Sequence, residues 1–186
     1  MSRFFIVRHG QTDYNAQGRY QGSTDIDLNE VGVEQAKAAA ECLKECSIDV
    51  IVSSPLKRAL STARIIAEII GCDDVHVMEQ FAERRMGVLE ELTREEALER
   101  YPEIYDKHVP RQIHDAPPGG ETPLECGVRV FEGLRQIQER YPNQNVLLVA
   151  HGFVGKFVRC FFQHVSDEEF WGHLLKNGEI AEYSPN

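Results

Sequence analysis

Two apolar runs set the terms for any fold this chain can adopt. Residues 4–7 read Phe-Phe-Ile-Val and stop on Arg8-His9-Gly10. Residues 145–153 read Asn-Val-Leu-Leu-Val-Ala-His-Gly-Phe, so a second run also ends in His-Gly. Neither alternates apolar with polar residues, as a strand with one wet face would. Both predict strands covered on two sides, the situation of a parallel sheet between helices. Packing alone gives such a strand no reason to end on a cation, an imidazole and the most permissive residue. The repetition points to chemistry at the strand ends.

The rest of the chain alternates strand-like with helical segments, the signature of an α/β fold with a mostly parallel sheet. Asn29 is placed to cap a helix running to about Cys46, with Ala36, Ala40 and Leu43 at helical spacing. Ile48 to Ser53 reads as a strand, and Ser54-Pro55 as the start of a helix with a stripe of Ala59, Ala63, Ile66 and Ile70 that Gly71 ends. Val75 to Met78 reads as a short strand. From Phe81 to Glu121 the pattern weakens into irregular connections marked by prolines, apart from a capping box at Thr93-x-x-Glu96. Thr122-Pro123-x-Glu125 opens a helix carrying Val128, Phe131, Leu134 and Ile137. A helix with Phe153, Phe157 and Phe161 follows the second run, Ser166 caps a last short helix, and Gly178 to Tyr183 suits an edge strand.

With 186 residues and 42% hydrophobic content, one domain spanning residues 1–186 is expected. The formal charge of -10 argues against nucleic acid, whose sequence-independent binding comes from cations on phosphate. It leaves room for a small phosphorylated substrate, which feels only a local pocket. No segment approaches the ~20 apolar residues of a membrane span, and Met1-Ser2-Arg3 leads straight into a strand, so a cytoplasmic protein away from membranes is expected. Cys42, Cys46, Cys72, Cys126 and Cys160 follow no zinc-ribbon spacing and read as reduced thiols. No P-loop signature is present, which excludes that class of kinase.

Ligands of open α/β sheets bind beyond the carboxyl ends of the strands. Three strands deliver polar residues there: Arg8 and His9 from the first, Arg58 in the first helical turn after the second, and His151 from the fourth. Helix N-termini add free N–H groups and partial positive charge. Two arginines, two histidines and helix N-termini, with no carboxylate cluster to hold a metal, describe a phosphate pocket needing neither metal nor cofactor. Lys107, His108 and Arg111 stand either near a substrate's far end or in solvent, the latter being preferred. His76, His114, His164 and His173 read as structural or surface residues, and Phe161, Phe162 and Trp171 as core aromatics.

Arg8-His9-Gly10-Gln11-Thr12 with Asn15 and Gly18-Arg19-Tyr20-Gln21-Gly22 resembles the opening of the histidine phosphatase superfamily, also called phosphoglycerate mutase-like. Ser53-Ser54-Pro55-Leu56-x-Arg58-Ala59 is similar to its second motif, and Phe81-x-Glu83 with Gly87 and Glu90 to its third. Pro118-Gly119-Gly120-Glu121-Thr122 and Ala150-His151-Gly152 complete the set in order over nearly the whole chain. The resemblance implies a three-layer sandwich and a phosphohistidine mechanism. It makes His9 the nucleophile and Glu83 the general acid. Arg8, Arg58 and His151, with Asn15, Gln21 and Gly152, become the phosphate ligands. The short span between Glu83 and the Pro-Gly-Gly-Glu motif resembles the compact phosphatases, including α-ribazole phosphatase. Phosphomonoester hydrolysis is therefore expected. Phosphoglycerate mutase activity is the alternative, followed by a phosphate-binding module without turnover. Ser61, Asp27 and Glu91 depart from the family pattern, Glu91 standing where a glycine commonly follows the second glutamate; the departures put local loop geometry in question. Substrate and oligomeric state are not legible.

Overall fold

The computed structural model describes residues 1–184. Its centre is a five-stranded sheet: β1 (Phe4–Arg8), β2 (Val50–Ser53), β3 (Val75–Val77), β4 (Val146–Ala150) and β5 (Ile180–Tyr183), in the order β3-β2-β4-β1-β5. β1, β2, β3 and β4 run parallel, and only the edge strand β5 is antiparallel to β1.

The lack of alternation in the first run has a direct structural cause. Phe4 and Ile6 pack into one core with α6 (Pro123–Arg140) and α7 (Gly152–Phe162). Phe5 and Val7 pack into the other with α2 (Glu30–Leu43) and α3 (Lys57–Ile70). All four side chains are at most 2% exposed, and burying each contributes about 1.5–3 kcal/mol. Helices on both faces give the three-layer sandwich.

Most boundaries follow local chemistry. The Asn29 side chain accepts from the Gly32 N–H, capping α2; Gly71 takes the left-handed conformation that ends α3. Capping boxes open α4 (Arg94–Arg100), α6 and α8 (Asp167–Gly172) at Thr93, Thr122 and Ser166. Others need correction. The helix expected at Ser54-Pro55 starts at Lys57, with Leu56 as an N-cap that makes no side-chain bond; the Ser54 hydroxyl accepts from the Leu56 N–H ahead of the helix and also meets His151 Nε2. α2 gives way after Leu43 to a 3₁₀ turn at Lys44–Cys46, and β3 stops at Val77 rather than Met78. The buried stripe of α6 is Cys126, Val130, Leu134 and Ile137, while Val128 points outward at 63% exposure. A short helix, α1 (Asp13–Ala16), gave no recognised signal, although Thr12 and Asn15 form its capping box.

Residues 84–118 are more ordered than their sequence suggests. α4, α5 (Pro102–Asp106) and several 3₁₀ turns enclose a separate small core of Leu89, Leu92, Ala97, Ile104 and Val109, with Tyr20, Met86 and Tyr105 packed against it. Helices this short rely on such tertiary packing. The core holds the segment over the carboxyl edge of the sheet.

Two backbone positions matter for that edge. Gly10 lies directly against Gly32, and a Cβ on either would overlap the facing backbone, so α2 seats closely on the turn after β1. Glu91 has φ +68°, the left-handed region. The loop therefore keeps a glycine-like geometry without a glycine. A side chain there costs roughly 1–2 kcal/mol, offset by the roughly 0.5–1 kcal/mol of extra chain entropy that glycine loses on folding. Glu91→Gly is expected to raise Tm by roughly 1–4 °C in differential scanning calorimetry; an unchanged or lower Tm would show that Glu91 carries no net strain.

Candidate active site

β1 and β4 lie side by side, yet the chain leaves them toward opposite faces, to α2 and to α7. Divergence of this kind opens a crevice at the carboxyl edge. His9 follows β1 and His151 follows β4, and the His9 N–H still donates to the Ala150 carbonyl, 2.9 Å. The crevice is a cavity of about 290 Å³ lined by Arg8, His9, Asn15, Gln21, Arg58 and Glu83, among others.

His9 is 2% exposed, and its Nδ1 lies 2.7 Å from the Gly10 carbonyl oxygen. A carbonyl only accepts, so Nδ1 carries the proton and Nε2 keeps a free lone pair. Arg58 is fully buried, its two terminal nitrogens donating to the Thr24 and Gly22 carbonyls at 2.7 and 2.8 Å. Thr62, one turn along α3, donates to the Arg58 carbonyl and accepts from the Gly10 N–H, fixing α3 to the His9 turn. Arg8 donates from Nη1 to the Leu175 carbonyl at 2.7 Å. Gly152 packs closely beside it: a Cβ there would lie 2.7 Å from Leu174 Cδ1 and touch the Arg8 guanidinium at 3.4 Å.

His151, expected among the phosphate ligands, does not border the cavity. It is fully buried behind His9, ring centroids 5.1 Å apart, and is absent from the cavity wall. Its Nε2 meets the Ser54 hydroxyl at 2.6 Å, and its Nδ1 has no protein partner. Arg8 Nε and Arg58 Nε are likewise buried without partners. Arg84 Nη2 is another; the three arginines, unlike His151, border the crevice, and buried polar groups are ordinarily satisfied. Asn15 presents a donor: its Oδ1 accepts from the Thr12 N–H at 3.1 Å and from Asn177 Nδ2 at 3.2 Å, leaving its own Nδ2 for the cavity. Gln21 Oε1 accepts from Thr12 at 3.1 Å, which leaves the Gln21 amide N–H groups on the cavity side.

Glu83 is the one carboxylate among the cavity-lining residues. Its oxygens accept from the Arg84 N–H at 2.9 Å and from the Phe153 N–H, in the first turn of α7, at 3.2 Å. The two nearby glutamates are committed elsewhere. Glu90 accepts from Ser23 and Met86, and Glu121 makes a bidentate pair with Arg129 at 2.7 and 2.8 Å. Arg129 also donates to the Gln80 and Ala82 carbonyls, bracing the segment that carries Glu83.

Sequence reasoning missed Arg84, Phe153 and Leu174 in the wall. It also missed Ser54, Thr62 and Asn177 as supports, because long-range contacts leave no local pattern. His108 and Arg111, with Tyr20, Arg94, Tyr105 and Pro110, line a neighbouring cavity that shares Tyr20 and Pro110 with the first. Among the described residues no group of three His, Cys, Asp or Glu side chains is placed to hold a metal, and no helix is long and apolar enough to cross a membrane.

Electrostatics keep both imidazoles neutral. Burial, then Arg58 and Arg8, push the His9 pKa well below its usual value; burial, then Arg58 and His9, do the same to His151. Burial lowers Arg58 to about 10, opposed by Glu83 and Asp25. In the unfolded chain both histidines take up protons near pH 6.5, whereas in the folded state they stay neutral. The unfolded state then binds more protons, and stability falls as pH drops. A falling Tm is expected between about pH 7 and 5, with a shallower slope in His151→Gln. Equal slopes in wild type and variant would show that His151 is not buried neutral.

The description "Histidine phosphatase superfamily (branch 1)" matches residues 4–186. The uncharacterized phosphatase PhoE of Bacillus subtilis is 43% identical over 153 residues, 82% of this chain and 72% of that protein. The metal-independent phosphoserine phosphatase of Arabidopsis thaliana is 37% identical over 177 residues, 94% of this chain and 73% of that one. Among solved structures, a mycobacterial glucosyl-3-phosphoglycerate phosphatase with VO3 superposes with a TM-score of 0.88 at 29% identity, covering 98% of this chain and 90% of that one. The order of motifs, the three-layer sheet and these relatives agree: this chain is a phosphatase of the histidine phosphatase superfamily.

Proposed function

We propose that the chain hydrolyses small phosphomonoesters through a phosphohistidine at His9 Nε2, without a metal. The observation that carries this reading is the pair of unpartnered buried nitrogens on the cavity-lining Arg8 and Arg58 beside a neutral histidine with a free lone pair. An anion seated there gives both arginine nitrogens an acceptor. Preorganised donors of this kind supply the charge stabilisation that phosphoryl transfer chiefly needs.

Two displacements complete the cycle. The Nε2 lone pair of His9 attacks phosphorus, the ester P–O bond breaks, and Glu83 in its acid form protonates the departing alkoxide oxygen. Glu83, now a carboxylate, takes a proton from water as the oxygen attacks phosphorus. The P–N bond then breaks, its electrons return to Nε2, and inorganic phosphate leaves. Arg8, Arg58, Asn15 and Gln21 hold the phosphoryl oxygens, His151 Nδ1 reaches the group from behind His9, and the Gly152 end of α7 adds its positive dipole. Phosphoserine is the first substrate to test, because the Arabidopsis relative bears that activity in its name. Transfer from a bisphosphate donor to a second acceptor, rather than to water, would identify the mutase alternative.

Full turnover is expected in excess chelator, because the arginines and helix N-termini supply the positive charge that a divalent cation supplies elsewhere. Loss of turnover in chelator with recovery on adding Mg²⁺ or Zn²⁺ would overturn the metal-free reading.

The roles separate by leaving group. His9→Ala is expected to abolish the acid-labile phosphoenzyme, and His151→Ala to cost on the order of 10²-fold in kcat, as for loss of an oxyanion donor. Glu83→Gln is expected to slow an alkyl phosphate far more than p-nitrophenyl phosphate, whose leaving group needs no proton. The check is kcat/KM for both substrates, with circular dichroism to confirm folding. Equal slowing of both would remove Glu83 as the acid.

A further inference from the structure

The segment after α8 runs back along the carboxyl end of β1 and touches three residues of the phosphate site. The Leu175 carbonyl accepts from Arg8 Nη1, and the Gly178 N–H donates to the Arg8 carbonyl at 2.9 Å. Between them, Asn177 uses its one amide nitrogen twice: Nδ2 donates to the His9 carbonyl at 2.9 Å and to Asn15 Oδ1 at 3.2 Å. The segment is held from beneath by Lys156 of α7, a residue 8% exposed whose Nζ donates to the Phe170, Trp171 and His173 carbonyls. The Asn177 bonds span more than 160 residues of sequence.

The Asn15 amide has two ends that differ only in polarity. One faces the Thr12 N–H and Asn177 Nδ2, both donors. The other faces the cavity. With oxygen toward these two donors, its two lone pairs are filled and the NH₂ group points at the ligand. Reversed, the amide sets N–H against N–H and aims a carbonyl dipole at a phosphoryl anion. We propose that Asn177 is a positioning residue: it locks the Asn15 amide with its donor end toward the phosphoryl group and ties that end to the backbone of His9. The inference rests on the phosphatase reading of the site, and assigns a function to a residue outside every motif that marks the family here.

A role through Asn15 makes the two residues non-additive. The test is a double-mutant cycle with p-nitrophenyl phosphate on the full chain: Asn177→Ala, Asn15→Ala and the pair, each checked by Tm and circular dichroism. Asn177→Ala is expected to lower kcat on the order of tenfold, and the pair to be within about twofold of Asn15→Ala alone. Asn177→Asp, nearly identical in shape, is expected to be worse than Asn177→Ala. Its carboxylate draws Asn15 Nδ2 toward itself and turns the oxygen on the phosphate. It also carries the test if the alanine variant fails to fold. Vanadate inhibition constants are expected to rise in parallel with the loss of kcat, which a merely structural role would not produce. Penalties that multiply in the pair, or an Asn177→Asp enzyme as active as wild type, would overturn the proposal. If wild type shows no turnover, the phosphatase reading fails separately, and calorimetric binding of inorganic phosphate runs the same cycle without chemistry. There, weaker binding in Asn177→Asp that vanishes in the Asn15→Ala background supports the lock, and unchanged binding refutes it.

Discussion

Positive charge buried without a matching carboxylate is the constraint around which this molecule is arranged. Arg58 is fully buried, and its main ties are neutral: the carbonyls of Gly22 and Thr24. Arg8 ends on the Leu175 carbonyl in the same way. Neutral acceptors orient a guanidinium without cancelling its charge, whereas a paired carboxylate would leave little field for an incoming anion. Burial first, and then the same field, keeps the two histidines unprotonated. A cation cluster that disfavours protons on the neighbouring imidazoles also suits the anion of the proposed reaction, one physical arrangement serving two ends.

Holding that arrangement requires support from segments far apart in sequence. The turn after β1 is closed from one side by Thr62 and by the Gly10–Gly32 contact, and from the other by Asn177 and Gly178. Glu83 sits on a segment braced by Arg129, whose own charge is taken up by the buried Glu121. The division between Glu83 and its neighbours follows from this. Glu121 and Glu90 are structural because their oxygens are filled, while Glu83 takes two backbone N–H bonds and still borders the cavity.

The segment between Glu83 and the Pro-Gly-Gly-Glu motif shapes the entrance. Its small core places Met86 and Pro110 in the wall of the site, and Arg84 lies beneath them against the Phe153 ring. Arg94, His108 and Arg111 border the adjoining cavity. The left-handed Glu91 belongs to this entrance. Its N–H donates to the Tyr20 carbonyl at 2.7 Å and its carbonyl accepts from Arg19, so the strained residue joins the segment to the motif after β1.

The sequence by itself determined the sheet, the flanking helices and the chemical content of the site. Each was written in local patterns: unbroken apolar runs for strands buried on two faces, capping boxes at Thr93, Thr122 and Ser166, and polar residues placed where strands end. Arg8, His9, Asn15, Gln21, Arg58 and Glu83 were all legible and all border one cavity. Tertiary structure alone decided which residues face a ligand and which stand behind. His151 reads like His9 in sequence, yet α7 and Ser54 draw it into the interior. Ser54 reads as a helix cap, yet a bond to a residue 97 positions away recruits it. Asn177 reads as part of a turn, yet it reaches His9 and Asn15 across the whole chain. Local patterns record what a residue prefers among its neighbours in sequence. Which partner satisfies a buried donor or acceptor depends on what the fold brings within about 3 Å, and only the folded chain contains that information.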